Sequence, residues 1–328
     1  MRRGVRLTVA TGVVTALLAA TIAGYAYEQY VRPGPLLVAA HVIVPRGASV
    51  ADIAELLSTA NVIFSPLLFR LAARVEHVGS SLRAGEYQFP AGTSMRQAVA
   101  MLRSGDVIVR KLTVPEGLSS RQVIALLGEA PGLEGEVVAF PAEGALLPAT
   151  YNYSWGDGRN EMVRRMSGAM GAVLDELWAS RDAGLPLVSP RDAVILASIV
   201  EKETALAFER PRVAAVFLNR LRAGMKLQAD PTVAYAVWGG IPPPRTLGAA
   251  DLQINSPYNT YVYEGLPPGP IANPGRASLE AVLRPARCED LFFVADGSGG
   301  HSFSRTLEEH NRNVARWRRL NDGAGGGD

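Results

Sequence analysis

The stretch from Pro190 to Thr204, PRDAVILASIVEKET, constrains this chain more than any other. Ala193, Val194, Ile195, Leu196, Ala197, Ile199 and Val200 follow almost without interruption, and Glu201, Lys202 and Glu203 come directly after. An apolar stripe that wide belongs to a helix buried on most sides. Charges at its end are costly unless they are paired or used by a site. A carboxylate held by a buried helix is one way to make a general acid with a raised pKa. Successive helical residues turn by about 100°, so Glu201 and Glu203 point roughly 200° apart and cannot line one pocket together. Glu201 shares its face with Ala197, Ser198, Thr204 and Ala205, whose small side chains leave room for a ligand. Glu203 shares its face with Ile199, Val200, Leu206 and Ala207. The facing argument therefore points to Glu201; the plainer alternative is that both carboxylates are solvated at a helix end.

The N-terminal segment bounds the setting. Leu7–Tyr27 carries no charge, and about 20 such residues cross a bilayer core. Arg2, Arg3 and Arg6 precede it and Glu28 follows, which favours a cytoplasmic N-terminus. The expectation is residues 1–6 in the cytoplasm, an uncleaved anchor at 7–27 and a linker at 28–38, with a cleaved signal peptide as the competing reading. The single cysteine, Cys288, cannot form an internal disulfide. A formal net charge of +2 and few aromatic residues leave no nucleic-acid footprint. His41, His77, His301 and His310 lack ligand spacing, so neither a metal nor a cofactor is expected. Residues 321–328 read as a disordered glycine-rich tail.

Three segments share one local pattern: Val44–Ser49, Phe89–Ser94 and Val114–Ser119. In each, a serine follows a proline by four positions, and Asp52, Gln97 or Gln122 lies three residues after it, as in a capping box. Each unit reads as strand, turn and capped helix. The predicted helices are Val50–Ala60, Met95–Ser104 and Ser120–Gly128, and the strands His41–Val44, Glu86–Phe89 and Val109–Val114. A further helix near Pro66–Arg74 completes a compact module at 39–111, either a carbohydrate binder or a spacer. Beyond it, a larger helix-rich domain extends to residue 320. Its helices are predicted at Glu161–Arg181, Pro190–Leu206, Pro211–Leu221, Thr232–Val237 (with Asp230 as N-cap) and Ser304–Leu320. Leu291–Val294 reads as a strand, and Gly297–His301 as a loop.

No serine, cysteine or phosphate-transfer motif is present. What remains is a carboxylate on a buried helix and polar loops carrying Asn219, Gln228, Asp230, Tyr258, Asn259, Thr260 and His301. Such groups beside prolines suit a sugar groove. Taken singly, Asp230 can be only a cap, Asn259 only a turn residue and His301 only a loop residue. A hydrolytic glycosidase needs two carboxylates, and Asp230, Asp251 or Glu264 could supply the second. One carboxylate suffices where the substrate brings its own nucleophile, as the 6-hydroxyl of muramic acid can. The acid then protonates the leaving oxygen and takes the hydroxyl proton, giving a 1,6-anhydro end without water.

Several long motifs in order resemble the endolytic murein transglycosylases of the MltG (YceG-like) family. They are Ala197–Thr204, Arg212–Leu221, Leu227–Val233, Ser256–Tyr261, Gly265–Ile271, Asn273–Gly275, Phe293–Gly297 and Gly300–Phe303, with Glu143–Tyr151 resembling the segment that opens the catalytic domain. The resemblance implies an α+β chain in the bacterial inner membrane with a single N-terminal membrane helix. It further implies a small LysM-like α/β module and a larger α+β catalytic domain at 112–320 outside the cytoplasm. It implies cleavage of the MurNAc–GlcNAc bond of nascent peptidoglycan strands, limiting their length, near cell-wall synthases (penicillin-binding proteins). Carried over residue by residue, Glu201 is the catalytic group. Glu143, Asn219, Gln228, Asp230, Tyr258, Asn259, Thr260 and His301 are groove residues. The competing functions are a non-catalytic wall-binding scaffold and a hydrolytic muramidase.

Overall fold

The computed structural model describes residues 2–324, with side chains from 10 to 320. The chain divides into two compact units. The first runs to Lys111 and takes in Pro131–Glu134 and Asn152–Asp157. The second holds Leu112–Ala130, Gly135–Tyr151 and everything from Gly158 onward.

The first unit opens with α1 (Arg2–Val31), a single helix running through the predicted anchor and into the predicted linker. Its Ala10–Val31 portion is long and apolar enough to cross a membrane. Next come β1 (Ala40–Val44), α2 (Val50–Thr59), α3 (Pro66–Val75), β2 (Gly85–Phe89) and α4 (Met95–Ser104). β1 and β2 pair antiparallel, with Val42 opposite Tyr87. Val42 and Val44 alternate with exposed neighbours, and they turn inward onto Leu57, Phe69, Tyr87 and Phe89. Burying a side chain of this size stabilises by roughly 1.5–3 kcal/mol. Ser49 and Ser94 form the expected capping boxes on α2 and α4, each contributing on the order of 1 kcal/mol.

A second two-stranded ribbon pairs β3 (Arg110–Thr113) with β4 (Thr150–Tyr153). In the second unit, α5 (Ser120–Glu129) starts from a third capping box at Ser119. α6 (Arg159–Ala179), α7 (Pro190–Glu203), α8 (Arg210–Arg222), α9 (Asp230–Trp238) and α10 (Arg276–Leu283) follow. α7 is the central element and packs against α6, α8, α9 and α10. Ser189 and Asp192 box its start and Pro190 occupies its first turn. Residues Ala193–Val200 are buried without a gap, as the apolar run requires. β5 (Phe292–Ala295) and β6 (His301–Ser304) form an antiparallel hairpin, and α11 (Leu307–Ala324) closes the described chain.

Most boundaries differ from expectation by one to three residues, and four differences stand out. α7 stops at Glu203, where Thr204 turns to extended backbone. Asp230 is not an N-cap: Ala229 holds that position and Asp230 is the first helical residue. His301 begins a strand, because pairing with Ala295 extends the backbone there. α11 continues through Ala324 into the segment read as a tail, of which residues 325–328 lie outside the described residues.

Candidate active site

The two carboxylates that end α7 sit in opposite chemical settings. Glu201 is 3 % exposed along its side chain. Its Oε1 accepts from Arg210 at 3.1 Å and its Oε2 from the Gly275 backbone amide at 2.9 Å. Arg210 also donates to Glu116 at 3.1 Å. Both Glu201 oxygens are therefore occupied by protein donors. The small residues on the Glu201 face do leave room, but the chain fills it. Ser198 accepts from the Ile271 amide at 3.0 Å, and the run from Ile271 to Gly275 is buried. A side chain at Gly275 would overlap the Glu116 carboxylate, so glycine permits this close approach.

Glu203 has the other character. Burial is the largest influence on its carboxyl, followed by the like charge of Asp230, with Arg220 opposing both. Together they push its pKa up to about 8. As the last residue of α7, it also faces the negative end of the helix dipole. At neutral pH such a group holds a proton that it can give away.

The elements around Glu203 are tightly organised. Arg220, on α8, is buried and donates to the Leu291 and Leu227 carbonyls, both at 2.7 Å, and to Gln228 Oε1 at 3.4 Å. These bonds fix the approach to α9, where Gln228 takes a positive φ of 51° and is exposed. That conformation is uncommon for a non-glycine residue and marks a constrained turn. Asp230, also exposed, accepts from the Tyr261 hydroxyl at 2.6 Å. The Tyr261 phenol is pushed upward by burial and by its bond to Asp230. Glu203, Arg220, Gln228, Asp230 and Tyr261 thus form one polar cluster drawn from α7, α8, the turn into α9, the start of α9 and the loop before α10.

The other expected site residues are placed as follows. Asn259 is fully buried; it donates to the Leu252 and Ile254 carbonyls at 3.1 and 2.9 Å and accepts from the Tyr261 amide at 2.9 Å. Thr260 is buried too, accepting from the Ala229 amide at 3.0 Å and lying 2.8 Å from the Thr232 hydroxyl. Neither faces a groove: their hydrogen-bonding groups are used to hold the loop that carries Tyr261. Asn219 likewise donates to the Cys288 and Asp290 carbonyls at 3.0 Å. Glu143 accepts from the Ser120 amide at 2.7 Å and from Tyr235 at 3.4 Å, and burial raises its pKa. Tyr258 packs on Tyr235, with ring centroids 4.9 Å apart. Beside that pair lies a cavity of about 150 Å³ lined in part by Ser119, Lys202, Pro231 and Tyr235.

His301 pairs with Glu209, its Nδ1 lying 2.7 Å from Oε2, and its backbone amide donates to Oε1 at 2.9 Å. Thr204 donates to the same carboxylate at 3.4 Å. His301 is thereby coupled to the loop that leaves Glu203, at the edge of a cavity of about 640 Å³. Sequence reasoning missed Arg220 and Glu209 as organising groups. The sequence reading faces Glu201 toward the site and Glu203 away from it; the structure gives Glu203 a raised pKa. Its place at a helix C-terminus, where negative charge is disfavoured, was the available signal. Among the described residues no group of three His, Cys, Asp or Glu side chains is arranged to hold a metal.

Comparison with known proteins adds a family context. A family model described as the YceG-like family matches residues 42–316. An "Endolytic murein transglycosylase" of Bacillus subtilis (strain 168) is 32% identical over 305 residues, covering 82% of each chain. A protein of the same name from Streptococcus pneumoniae (strain ATCC BAA-255 / R6) is 28% identical over 364 residues. That match covers 92% of this chain but 63% of the pneumococcal one, so this chain spans less than two thirds of that relative. The crystal structure of a putative YceG-like protein from Listeria monocytogenes superposes with a TM-score of 0.52 at 30% identity. It covers 84% of this chain and 98% of that one.

Proposed function

The chain belongs to the YceG-like family, and from that premise we propose that it is a membrane-anchored transglycosylase that cleaves peptidoglycan strands, with Glu203 as its proton donor and acceptor. What supports the reading is a carboxyl at the end of the central buried helix, beside the exposed Gln228 and Asp230, whose pKa burial and the Asp230 charge raise to about 8. Glu201, the expected catalytic group, is already engaged by Arg210 and the Gly275 amide.

In this reading Glu203 gives its proton to the glycosidic oxygen as the bond to the muramic-acid anomeric carbon breaks. The 6-hydroxyl of the same sugar attacks that carbon, and the Glu203 carboxylate takes the hydroxyl proton. The acid is regenerated, no water is consumed, and a 1,6-anhydro end forms. Gln228 and Asp230, exposed beside it, are suited to hold sugar hydroxyls.

Asp230 also favours a second reading. Its charge is felt by Glu203, and a second carboxylate is what a hydrolytic muramidase would use. The full chain incubated with purified glycan strands separates the two. Mass spectrometry finding anhydro ends supports the transglycosylase; reducing ends mean hydrolysis. Intact strands would leave only a wall-binding scaffold.

The wider reading places α1 across the inner membrane with the second unit outside the cytoplasm, trimming nascent strands beside synthases. The first unit's β1–α2–α3–β2 order, with its two strands paired, supports a LysM-like module.

A further inference from the structure

One face of α3 is left uncovered. Phe64, just ahead of the helix, and Leu67, Leu71 and Val75 within it are 48, 71, 50 and 69% exposed. Spacings of four residues put Leu67, Leu71 and Val75 on one helical stripe, with exposed Phe64 just ahead of it. Arg70 and Arg74, both exposed, flank it. The opposite face, with Phe69 and Ala73, is buried in the module core.

This stripe adjoins α1 within the same unit. Leu71 and Val75 line a cavity of about 440 Å³ together with Ala23, Ala26 and Tyr27 of α1. The Tyr30 hydroxyl hydrogen-bonds Glu76, at the end of α3. The Arg32 guanidinium stacks 4.1 Å from the centroid of the Phe64 ring. Ala23 and Ala26 belong to the stretch long and apolar enough to cross a bilayer, which ends at Val31. At 1.5 Å per residue they lie roughly 8–12 Å inside that end. An interfacial helix sits about 5–10 Å into the boundary between headgroups and acyl chains. Side chains that share a cavity with Ala23 and Ala26 are held at that depth.

We propose that α3 is an interfacial membrane helix. Its Leu67–Leu71–Val75 stripe, with Phe64 ahead of it, enters the acyl boundary on the side where α1 emerges, and Arg70 and Arg74 meet anionic phospholipid headgroups. The proposal rests on α1 being the membrane anchor. Its consequence is that the module lies on the bilayer surface and does not swing on a tether.

The test uses the full chain with Cys288→Ser, carrying a nitroxide on a single cysteine introduced at Leu71 or Val75. Leu18 in α1 and the exposed Gln88 in β2 serve as references. Each labelled chain is first shown to melt like its parent, then reconstituted in vesicles of phosphatidylcholine and phosphatidylglycerol. Collision with oxygen, which partitions into lipid, is compared with collision with a water-soluble nickel chelate. The expected result is a several-fold higher oxygen-to-nickel ratio at Leu18, Leu71 and Val75 than at Gln88. Charge reversal of Arg70 and Arg74 to Glu should move the Leu71 label toward water. Lipid exposure at Leu18 with water exposure at Leu71 and Val75 overturns the docking of α3 and leaves the anchor standing. Water exposure at Leu18 overturns the anchor reading itself. Exclusion of both reagents from Leu71 and Val75 means that a protein surface covers the stripe, which also overturns the proposal.

Discussion

Arg210 donates to Glu201 Oε1 at 3.1 Å, and this pair ties the end of α7 to the start of α8. Glu201→Gln should therefore act on stability more than on chemistry. It leaves Arg210 with Glu116 as its remaining carboxylate partner, at a cost of about 1–3 kcal/mol. Urea unfolding of the second unit checks the first part and strand-cleavage rate the second. Unchanged stability with abolished cleavage would return the catalytic role to Glu201.

Glu203 should make the fold less stable as pH rises. Its folded pKa, about 8, lies above the ordinary carboxyl value of 4.5. The folded state therefore binds more protons between those two values, and stability falls across that window. Above about pH 8 the penalty is fully present, on the order of 5 kcal/mol. Glu203→Gln removes it. Melting temperature should rise in this variant at pH 9 and stay nearly unchanged at pH 4. Equal effects at both pH values would mean that the carboxyl is not perturbed.

Asp230→Asn should move the pH profile. The like charge of Asp230 helps to hold the Glu203 carboxyl protonated, and removing it lowers the pKa of Glu203. Cleavage should then decline at lower pH than in the parent chain, because a general acid must be protonated to act. An alkaline limb that stays in place would separate Asp230 from Glu203 electrostatically.

Asn259→Ala should destabilise by about 1–3 kcal/mol, since it removes the bonds to the Leu252 and Ile254 carbonyls and takes from the Tyr261 amide its side-chain acceptor. Binding should weaken only through loss of the loop. A variant of parental stability with weaker strand affinity would put Asn259 in the groove after all.

Much of the architecture was legible. The three serine-led capping boxes and the buried run of α7 are local signals, and local signals survive folding. β4 is legible in hindsight through the alternation of buried Tyr151 and Tyr153 with exposed neighbours. α10 was hidden because it is short, follows a proline-dense loop, and has Gly275 at its cap with no side-chain bond. β6 was hidden because a polar four-residue strand exists only through its pairing with β5. The setting of Glu201 is hidden for a related reason. Small residues beside Glu201 were read as space for a ligand, but the segment from Ile271 to Gly275, some seventy residues away in sequence, occupies that space. Gln228 and Asp230 stand out in the sequence through their loop, whereas Arg220 sits inside ordinary-looking helix sequence and Glu209 in the short turn that caps α8.

The most direct test is the rate of glycan-strand cleavage by Glu203→Gln set beside that of Glu201→Gln, both in the full chain at neutral pH. An amide cannot serve as the acid, so the account predicts a loss of about 100- to 10,000-fold for Glu203→Gln, with cleavage retained in Glu201→Gln. Parental turnover in Glu203→Gln, or loss confined to Glu201→Gln, would contradict it.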